Sequence, residues 1–156
     1  MQTEMTETLL TVRMLSVIER YGDFPSFAAF LSEWGEREAE DKERQIAICT
    51  AALCRKENGH LLTLTEEGGG CTHFRYYDGK PDVTVLRRGE MQSEMRYIPK
   101  KITPLLYATP FGTLEGEIYT EEIRNTLTEE GGSLTLRYFT VLGGAYQRAT
   151  LKLTVQ

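Results

Sequence analysis

The chain has 156 residues, of which 40% are hydrophobic and 26% charged, and this composition predicts one folded domain over 1–156 rather than a disordered chain. Its formal net charge of −5 argues against a nucleic-acid-binding protein, which normally carries a basic excess. The polar N-terminus and three cysteines without framework spacing argue against a signal peptide, a membrane span and a disulfide scaffold, so we expect a cytoplasmic protein.

Short strands separated by glycine-containing turns dominate the chain from residue 45 onward, a rhythm typical of antiparallel barrels and sandwiches. One strand is predicted before this region, at 8–18. The others are predicted at 45–56, 60–66, 71–77, 82–88, 91–98, 112–128, 133–142 and 145–155. The pattern predicts an all-β fold, an antiparallel up-and-down barrel of about 8–10 strands.

Residues 19–44 interrupt this pattern and predict one short helix plus a charged linker, inserted after the first strand. Four apolar side chains recur there at the spacing of one helix face: Phe27, Phe30, Leu31 and Trp34. We expect a helix at about 25–34, capped by Asp23 or Ser26, that packs on a mouth or on the flank of the barrel. Alternatively, the aromatic face of this helix is a mobile lid over the barrel.

The last hairpin has a well-specified register. Gly143-Gly144 predicts a two-residue turn, because such turns need positive φ, which glycine reaches without a Cβ clash. The inward pairs are then Tyr138 with Ala149, Leu136 with Leu151 and Leu134 with Leu153. The outward pairs are Arg137 with Thr150, Thr135 with Lys152 and Phe139 with Arg148, a mostly solvent-like face.

The strand at 112–128 changes its inward parity along its length. Leu114 and Ile118 stand at even positions, whereas Ile123 and Leu127 stand at odd positions. One extra residue near Glu121-Glu122 would bring all four to the same face. We therefore expect a β-bulge there.

The hairpin around Gly89 is predicted to turn through the three residues Arg88-Gly89-Glu90. The resulting pairs are Arg87 with Met91, Val85 with Ser93 and Val83 with Met95. Because burying an unpaired guanidinium is costly, we expect Arg87 at a mouth of the barrel. Its partners there are turn carbonyls or a nearby Glu, or else the carboxylate or phosphate of a ligand.

Three segments resemble the YwiB-like family, small bacterial proteins of unknown function with a lipocalin-like (calycin) barrel. They are VTVLRRGEMQSEMRYI, with its Arg-x-Gly and Arg-aromatic strand ends, the Thr-Pro-aromatic-Gly segment TPFGTLEGEIYT, and the final hairpin EEGGSLTLRYFTVLGGAYQRATLKLTV. The resemblance covers about 45–156 and implies a fold but no activity. The insertion at 19–44 departs from the short connection that the family pattern implies.

No catalytic or metal-binding constellation is predicted. The acidic pairs Glu66-Glu67, Glu121-Glu122 and Glu129-Glu130 stand at turns or at the bulge. Cys71 and His73 share one strand face, but the Cys-x-x-Cys knuckle of a zinc site is absent. His60 follows the Asn58-Gly59 turn and is expected to be exposed. We therefore expect no enzyme, no cofactor and no metal site.

The barrel interior remains as the candidate site. It either holds one small amphipathic or anionic ligand or is filled by side chains, in which case the protein is a structural or protein-interaction domain. The candidate ligand-binding residues are Arg87, Tyr138, Tyr97, Met91 and Met95, and the candidate lid residues are Phe27, Phe30 and Trp34. Tyr97 stands about 20 Å along the strand from Met91, so we expect it at the opposite mouth. A homo-oligomer is the other partner left open.

Overall fold

The computed structural model of the protein, which describes residues 6–65 and 68–156, contains ten strands in a closed barrel. The elements are β1 (Thr6–Tyr21), α1 (Phe27–Glu33), a 3₁₀ turn (Trp34–Glu36), β2 (Asp41–Lys56), β3 (Gly59–Thr65), β4 (Cys71–Tyr77), β5 (Val83–Arg88), β6 (Gln92–Tyr97), β7 (Ile102–Thr109), β8 (Gly112–Asn125), β9 (Ser133–Leu142) and β10 (Ala145–Val155). The Glu66-Glu67 pair, and with it the end of the predicted strand 60–66, lies outside the described residues.

Each strand pairs antiparallel with its neighbour in sequence, and β1 also pairs with β10 to close the ring. The predicted up-and-down antiparallel barrel is therefore confirmed. We call the end that carries α1 and the β9–β10 turn the upper end. The end that carries the β2–β3 and β8–β9 turns is the lower end.

Strand β7 was not predicted from the sequence, because Pro104 argues against a central strand. The structure accommodates this proline where β7 pairs with β8 but not with β6. β6 pairs with β7 only over Leu105–Ala108, so Pro104 lies outside that ladder. β1 and β2 are also longer than predicted, which shortens the inserted connection from 19–44 to residues 22–40.

The register of the last hairpin is as predicted. Tyr138 lies opposite Ala149 and Leu136 opposite Leu151, across a turn in which Gly143 and Gly144 have φ values of 57° and 79°. The β-bulge is also confirmed, since the β8–β9 register shifts between Thr120 and Glu122. Beyond the bulge, Ile123 packs against the core, whereas Leu114, at the upper rim, is 48% exposed.

The predicted register of the β5–β6 hairpin is wrong by two residues. Val85 lies opposite Met95 and Arg87 opposite Ser93, so five residues rather than three separate the last paired positions. The length of this loop cannot be predicted from Gly89 alone. A longer turn through Met91 also places Gly89 at positive φ, here 155°. Because the true register differs from the predicted one by an even number of residues, the same side chains of both strands still face inward.

Helix α1 begins as predicted, with the Ser26 hydroxyl accepting a hydrogen bond from the Ala29 amide at 3.1 Å. It packs on the outer flank of the barrel. Phe30 is fully buried between outward-facing Phe139 and Tyr146, with ring centroids at 5.7 and 5.2 Å. Phe139 was expected on a solvent-like face, but α1 covers it and leaves only 3% exposed.

The main core fills the lower half of the barrel with inward-facing aliphatic and aromatic side chains. Its fully buried members include Val12, Leu62, Phe74, Val83, Ile118, Leu134, Leu136 and Leu153. The aromatic cluster around Phe30 is a second core, separate from the first and outside the barrel wall. The two cores leave the upper half of the interior as the place to look for a site.

Candidate ligand-binding site

A cavity of about 320 Å³ lies in the upper half of the barrel interior. Its wall comes from the upper parts of β1, β6, β7, β9 and β10. The lining residues are Ile18, Met95, Leu105, Tyr107, Tyr138, Thr140, Leu142, Ala145, Gln147 and Ala149. The volume lies within the range of about 300–1,000 Å³ typical of small-molecule sites.

Small inward-facing residues leave this space open. Ala145 and Ala149 supply only methyl groups from β10, and Gly116 stands between Leu105 and Leu142 in the ladders of β8. A side chain cannot easily replace Gly116, because its Cβ would lie 2.1 Å from the carbonyl oxygen of Val141. Close approach of β8 and β9 therefore keeps this position without a side chain.

The lining combines an apolar body with a few polar groups and no formal charge among the described residues. Tyr138, Thr140 and Gln147 supply hydroxyl and amide groups. At the upper rim, Arg20 lies directly opposite Gln147, and its guanidinium ion-pairs with Asp41 at 2.7 Å and Glu43 at 2.8 Å. The cavity is thus apolar inside and bordered by a charged network at its open end.

Tyr97 ends β6 at its lower end, away from Met91, and is 2% exposed, so it is packed in the interior below the cavity and not open at a mouth. Its ring contacts that of Tyr138 with centroids 4.9 Å apart, and its hydroxyl donates to Met95 Sδ at 3.2 Å. Burial raises the pKa of both phenols. The structure therefore brings Tyr97 into contact with Tyr138 and Met95, and of these three only Tyr138 and Met95 line the cavity.

Arg87 and Met91 lie apart from this cavity. Met91 belongs to the β5–β6 loop, is 40% exposed and accepts a hydrogen bond from the Tyr107 hydroxyl at 3.6 Å. Arg87 lies at the upper rim on β5, where it lines a different cavity, of about 520 Å³, with Arg88 and Phe111. A mouth position for Arg87 was predicted, but the cavity beside Tyr138 does not include it. Tyr107, which does line that cavity, was missed because β7 was missed.

The lid interpretation of Phe27, Phe30 and Trp34 does not fit their position. Phe27 and Phe30 are buried in the cluster on the outer flank, and Trp34 packs partly buried against Phe139, with centroids at 5.5 Å. The Arg148 guanidinium stacks over the Trp34 ring, with Cζ 4.2 Å from its centroid. Because these contacts are on the outer wall, α1 does not cover the interior.

A polar cavity of about 480 Å³ at the lower end contains His60, which was expected to be exposed. Its side chain is only 10% exposed, because the ring stacks on Tyr76 at 4.8 Å and Nε2 hydrogen-bonds Asp78 at 2.8 Å. Burial, and then the charges of Asp78 and Glu129, raise the pKa of Tyr76 to about 12. Pairing of the Asn58-Gly59 and Asp78-Gly79 turns on neighbouring strands is the sequence signal that could have found this contact.

These features define a closed antiparallel barrel whose lower half is packed and whose upper half contains a cavity. The chain belongs to the family described as "Domain of unknown function (DUF1934)", which matches residues 34–154. It is also similar to the ywiB protein from Bacillus subtilis, whose crystal structure has a TM-score of 0.72 and 22% identity over 97% of this chain and 95% of that one. The predicted YwiB-like family is thereby confirmed, and at this identity the likeness speaks for the fold alone.

No curated protein matches the chain. Within the described ranges, no helix has the length and apolar character that a membrane-spanning helix needs.

Proposed function

We propose that this protein is a cytoplasmic binding protein that holds one small amphipathic molecule in the upper half of its barrel. The cavity of about 320 Å³ beside Tyr138 carries this proposal, since a structural domain with a filled barrel would have no such space. Three free thiols, at Cys49, Cys54 and Cys71, support a reducing compartment.

The lining favours an apolar, uncharged body in the ligand. Ile18, Met95 and Leu105 offer dispersion contacts, and burying a charge beside them without a partner would be costly. A polar group of the ligand would hydrogen-bond Tyr138, Thr140 or Gln147. An anionic head fits only at the rim, where Arg20 already has two carboxylate partners. Binding rather than catalysis is proposed because the lining combines no nucleophile with a base.

Native mass spectrometry of the protein purified from its own host tests the proposal. We expect a retained small molecule that is lost in Ala149→Phe, since the new ring would occupy the cavity. Ala52→Phe is the matched control, because Ala52 stands on the outer face of β2 opposite Leu9. A retained mass that persists in Ala149→Phe and disappears in Ala52→Phe would place the ligand elsewhere.

An uncharged dye, N-phenyl-1-naphthylamine, gives a second measurement that needs no natural ligand. Its fluorescence should rise on binding to the wild type and to Ala52→Phe but not to Ala149→Phe. Equal fluorescence in all three proteins would contradict binding in the barrel.

A second candidate function, association with another copy of the chain, is supported by the outer face of the β1–β2 hairpin. Leu9, Ile46 and Ile48 there are 71%, 50% and 63% exposed. Among the described residues, β3 pairs with β2 only from Ala51 to Lys56, so no strand covers the edge of β2 at 41–50. Uncovered edges and apolar faces favour strand-to-strand pairing. Sedimentation should show a dimer that Ile48→Lys dissociates; a monomeric wild type would exclude it.

A further inference from the structure

A cysteine, a histidine and a threonine form a hydrogen-bonded chain on the outer face of β3 and β4. Cys71 Sγ lies 3.2 Å from His73 Nε2, and His73 Nδ1 lies 2.9 Å from Thr63 Oγ1. The sheet fixes this arrangement, because Thr63 and His73 are direct cross-strand partners and Cys71 is two residues from His73 on the same face. The three groups therefore have the order nucleophile, base and orienting hydroxyl.

Positive charge surrounds the two reactive groups of this chain. Arg88 lies directly opposite Cys71 in the β4–β5 ladder. Burial, and then the charges of Arg88 and Arg75, lower the pKa of His73. The imidazole is consequently neutral at neutral pH, as a proton acceptor must be.

The other two cysteines lack these features and serve as internal controls. Cys54 lies beside a carboxylate, since its Sγ donates to Glu7 Oε2 at 3.8 Å, and burial followed by that charge raises the pKa of Cys54. Cys49 packs against the core of the barrel. One chain thus holds a thiol beside arginine and histidine, a thiol beside glutamate and a thiol against an apolar core.

A cavity of about 520 Å³ at the upper rim is lined by neighbours of Cys71 and is a second, independent feature of this region. Its lining includes Gly70, which precedes Cys71, and Arg88, which faces it, together with Arg87 and the fully exposed Phe111. Glu90 also lines this cavity, so two guanidinium groups stand against one carboxylate beside the open space, and this positive balance suits a small molecule with carboxylate groups.

We propose that Cys71 is a site of thiol–disulfide exchange with small, carboxylate-bearing disulfides, with His73 as its base and Thr63 as a positioning residue. His73 Nδ1–H donates to Thr63 Oγ1, which leaves Nε2 to accept the thiol proton. The Cys71 thiolate attacks one sulfur of the disulfide, so a new S–S bond forms as the old one breaks. The expelled thiolate takes the proton from Nε2. The Cys71 thiol and the small disulfide are thereby converted into a mixed disulfide and a free small thiol. The small disulfide is the oxidant, and Cys71 is oxidised.

The test follows modification of all three cysteines of the intact protein by 5,5′-dithiobis(2-nitrobenzoate), a disulfide with two carboxylates, and by the uncharged 2,2′-dithiodipyridine. Peptide mass spectrometry after quenching with an alkylating reagent assigns each rate. We expect Cys71 to react at least about threefold faster than Cys54, because His73 accepts the Cys71 proton, whereas burial and Glu7 raise the pKa of Cys54 and so lower its thiolate fraction. A rate equal to or below that of Cys54 would overturn the proposal.

Variants separate the roles of the neighbours. His73→Asn should lower the rate at Cys71 toward that of Cys54 with both reagents and leave Cys54 itself unchanged. Arg88→Gln should slow the carboxylate reagent more than the uncharged one. If His73→Asn instead raises all three rates together, the variant has unfolded. In that case the role of the Thr63 hydroxyl is tested by comparing Thr63→Val with Thr63→Ser, because only serine keeps the hydroxyl. Equal rates at Cys71 in these two folded variants would refute the proposal.

Discussion

The ring of Tyr97 lies edge-on against that of Tyr138, with their centroids 4.9 Å apart and their planes at 66°. Tyr97 is 2% exposed and belongs to the packed lower half, whereas Tyr138 lines the cavity above it. This pair therefore marks the level at which the barrel changes from filled to hollow.

The same pair predicts how stability changes at alkaline pH. The folded state holds the pKa of Tyr97 well above its ordinary value of 10.0, chiefly by burial. The unfolded chain therefore loses this proton first as the pH rises, so the stability contributed by the neutral phenol is present below pH 10 and is lost above it. Tyr97→Phe should lose less stability between pH 9 and 11 than the wild type in urea unfolding. If the unfolding free energies of the two proteins changed in parallel with pH, Tyr97 would not be the source of the alkaline loss of stability.

Leu136→Ala should destabilise the protein by about 2–5 kcal/mol, because it leaves a cavity in a core that cannot fully collapse. Leu136 is 0% exposed and lies between Leu151 and Ile123. Urea unfolding measures the change, and Arg137→Ala on the exposed face of the same strand is the control, expected within about 0.5 kcal/mol of wild type. Equal effects of the two substitutions would mean that the faces are exchanged.

Phe30→Ala should cost about 3–5 kcal/mol, since it removes the centre of the aromatic cluster on the outer flank. Phe30 contacts the rings of Tyr21, Phe24, Phe27, Phe139 and Tyr146. Phe111→Ala is the matched control, because Phe111 is 100% exposed and its loss should change the unfolding free energy by less than about 0.5 kcal/mol. Since α1 lies outside the barrel, binding of N-phenyl-1-naphthylamine should survive in folded Phe30→Ala; its loss would restore the lid interpretation.

Gly116→Ala should destabilise the barrel by about 1–3 kcal/mol through overpacking, because the methyl group would meet the Val141 carbonyl at 2.1 Å and force β8 from β9. Gly35→Ala is the control, since a Cβ there meets nothing within 4 Å. Thermal unfolding compares the two variants. A Gly116→Ala protein as stable as Gly35→Ala would show that β9 can move aside.

Local patterns predicted much of the fold, because each was tied to a strong physical constraint. Two adjacent glycines at positive φ determine the Gly143-Gly144 turn, and the change of parity between Ile118 and Ile123 requires a bulge. Strand β7 was missed because Pro104 is a poor strand residue, and its tolerance depends on where β6 stops pairing, which is a tertiary property. The β5–β6 loop was misjudged for a similar reason, since one glycine is compatible with several loop lengths.

The candidate site was harder to predict, because a cavity depends on which inward-facing side chains fail to meet across the barrel. Tyr138 and Met95 were placed correctly by alternation alone. The signal that the sequence does contain is the set of small inward-facing residues, namely Gly116, Ala145 and Ala149, which stand on the two sides of β9. That these three residues border one space becomes apparent only once the pairing register of the strands is known.

The division of the barrel at Tyr97 has an evolutionary consequence. Substitutions among the residues above it change the shape and polarity of a space that contributes little packing. Such substitutions therefore reduce the free energy of unfolding only slightly. Substitutions below it remove core contacts and are selected against. If the barrel binds a ligand as proposed, its descendants can therefore exchange one ligand for another while the same lower half keeps them folded, and specificity can diverge faster than the fold.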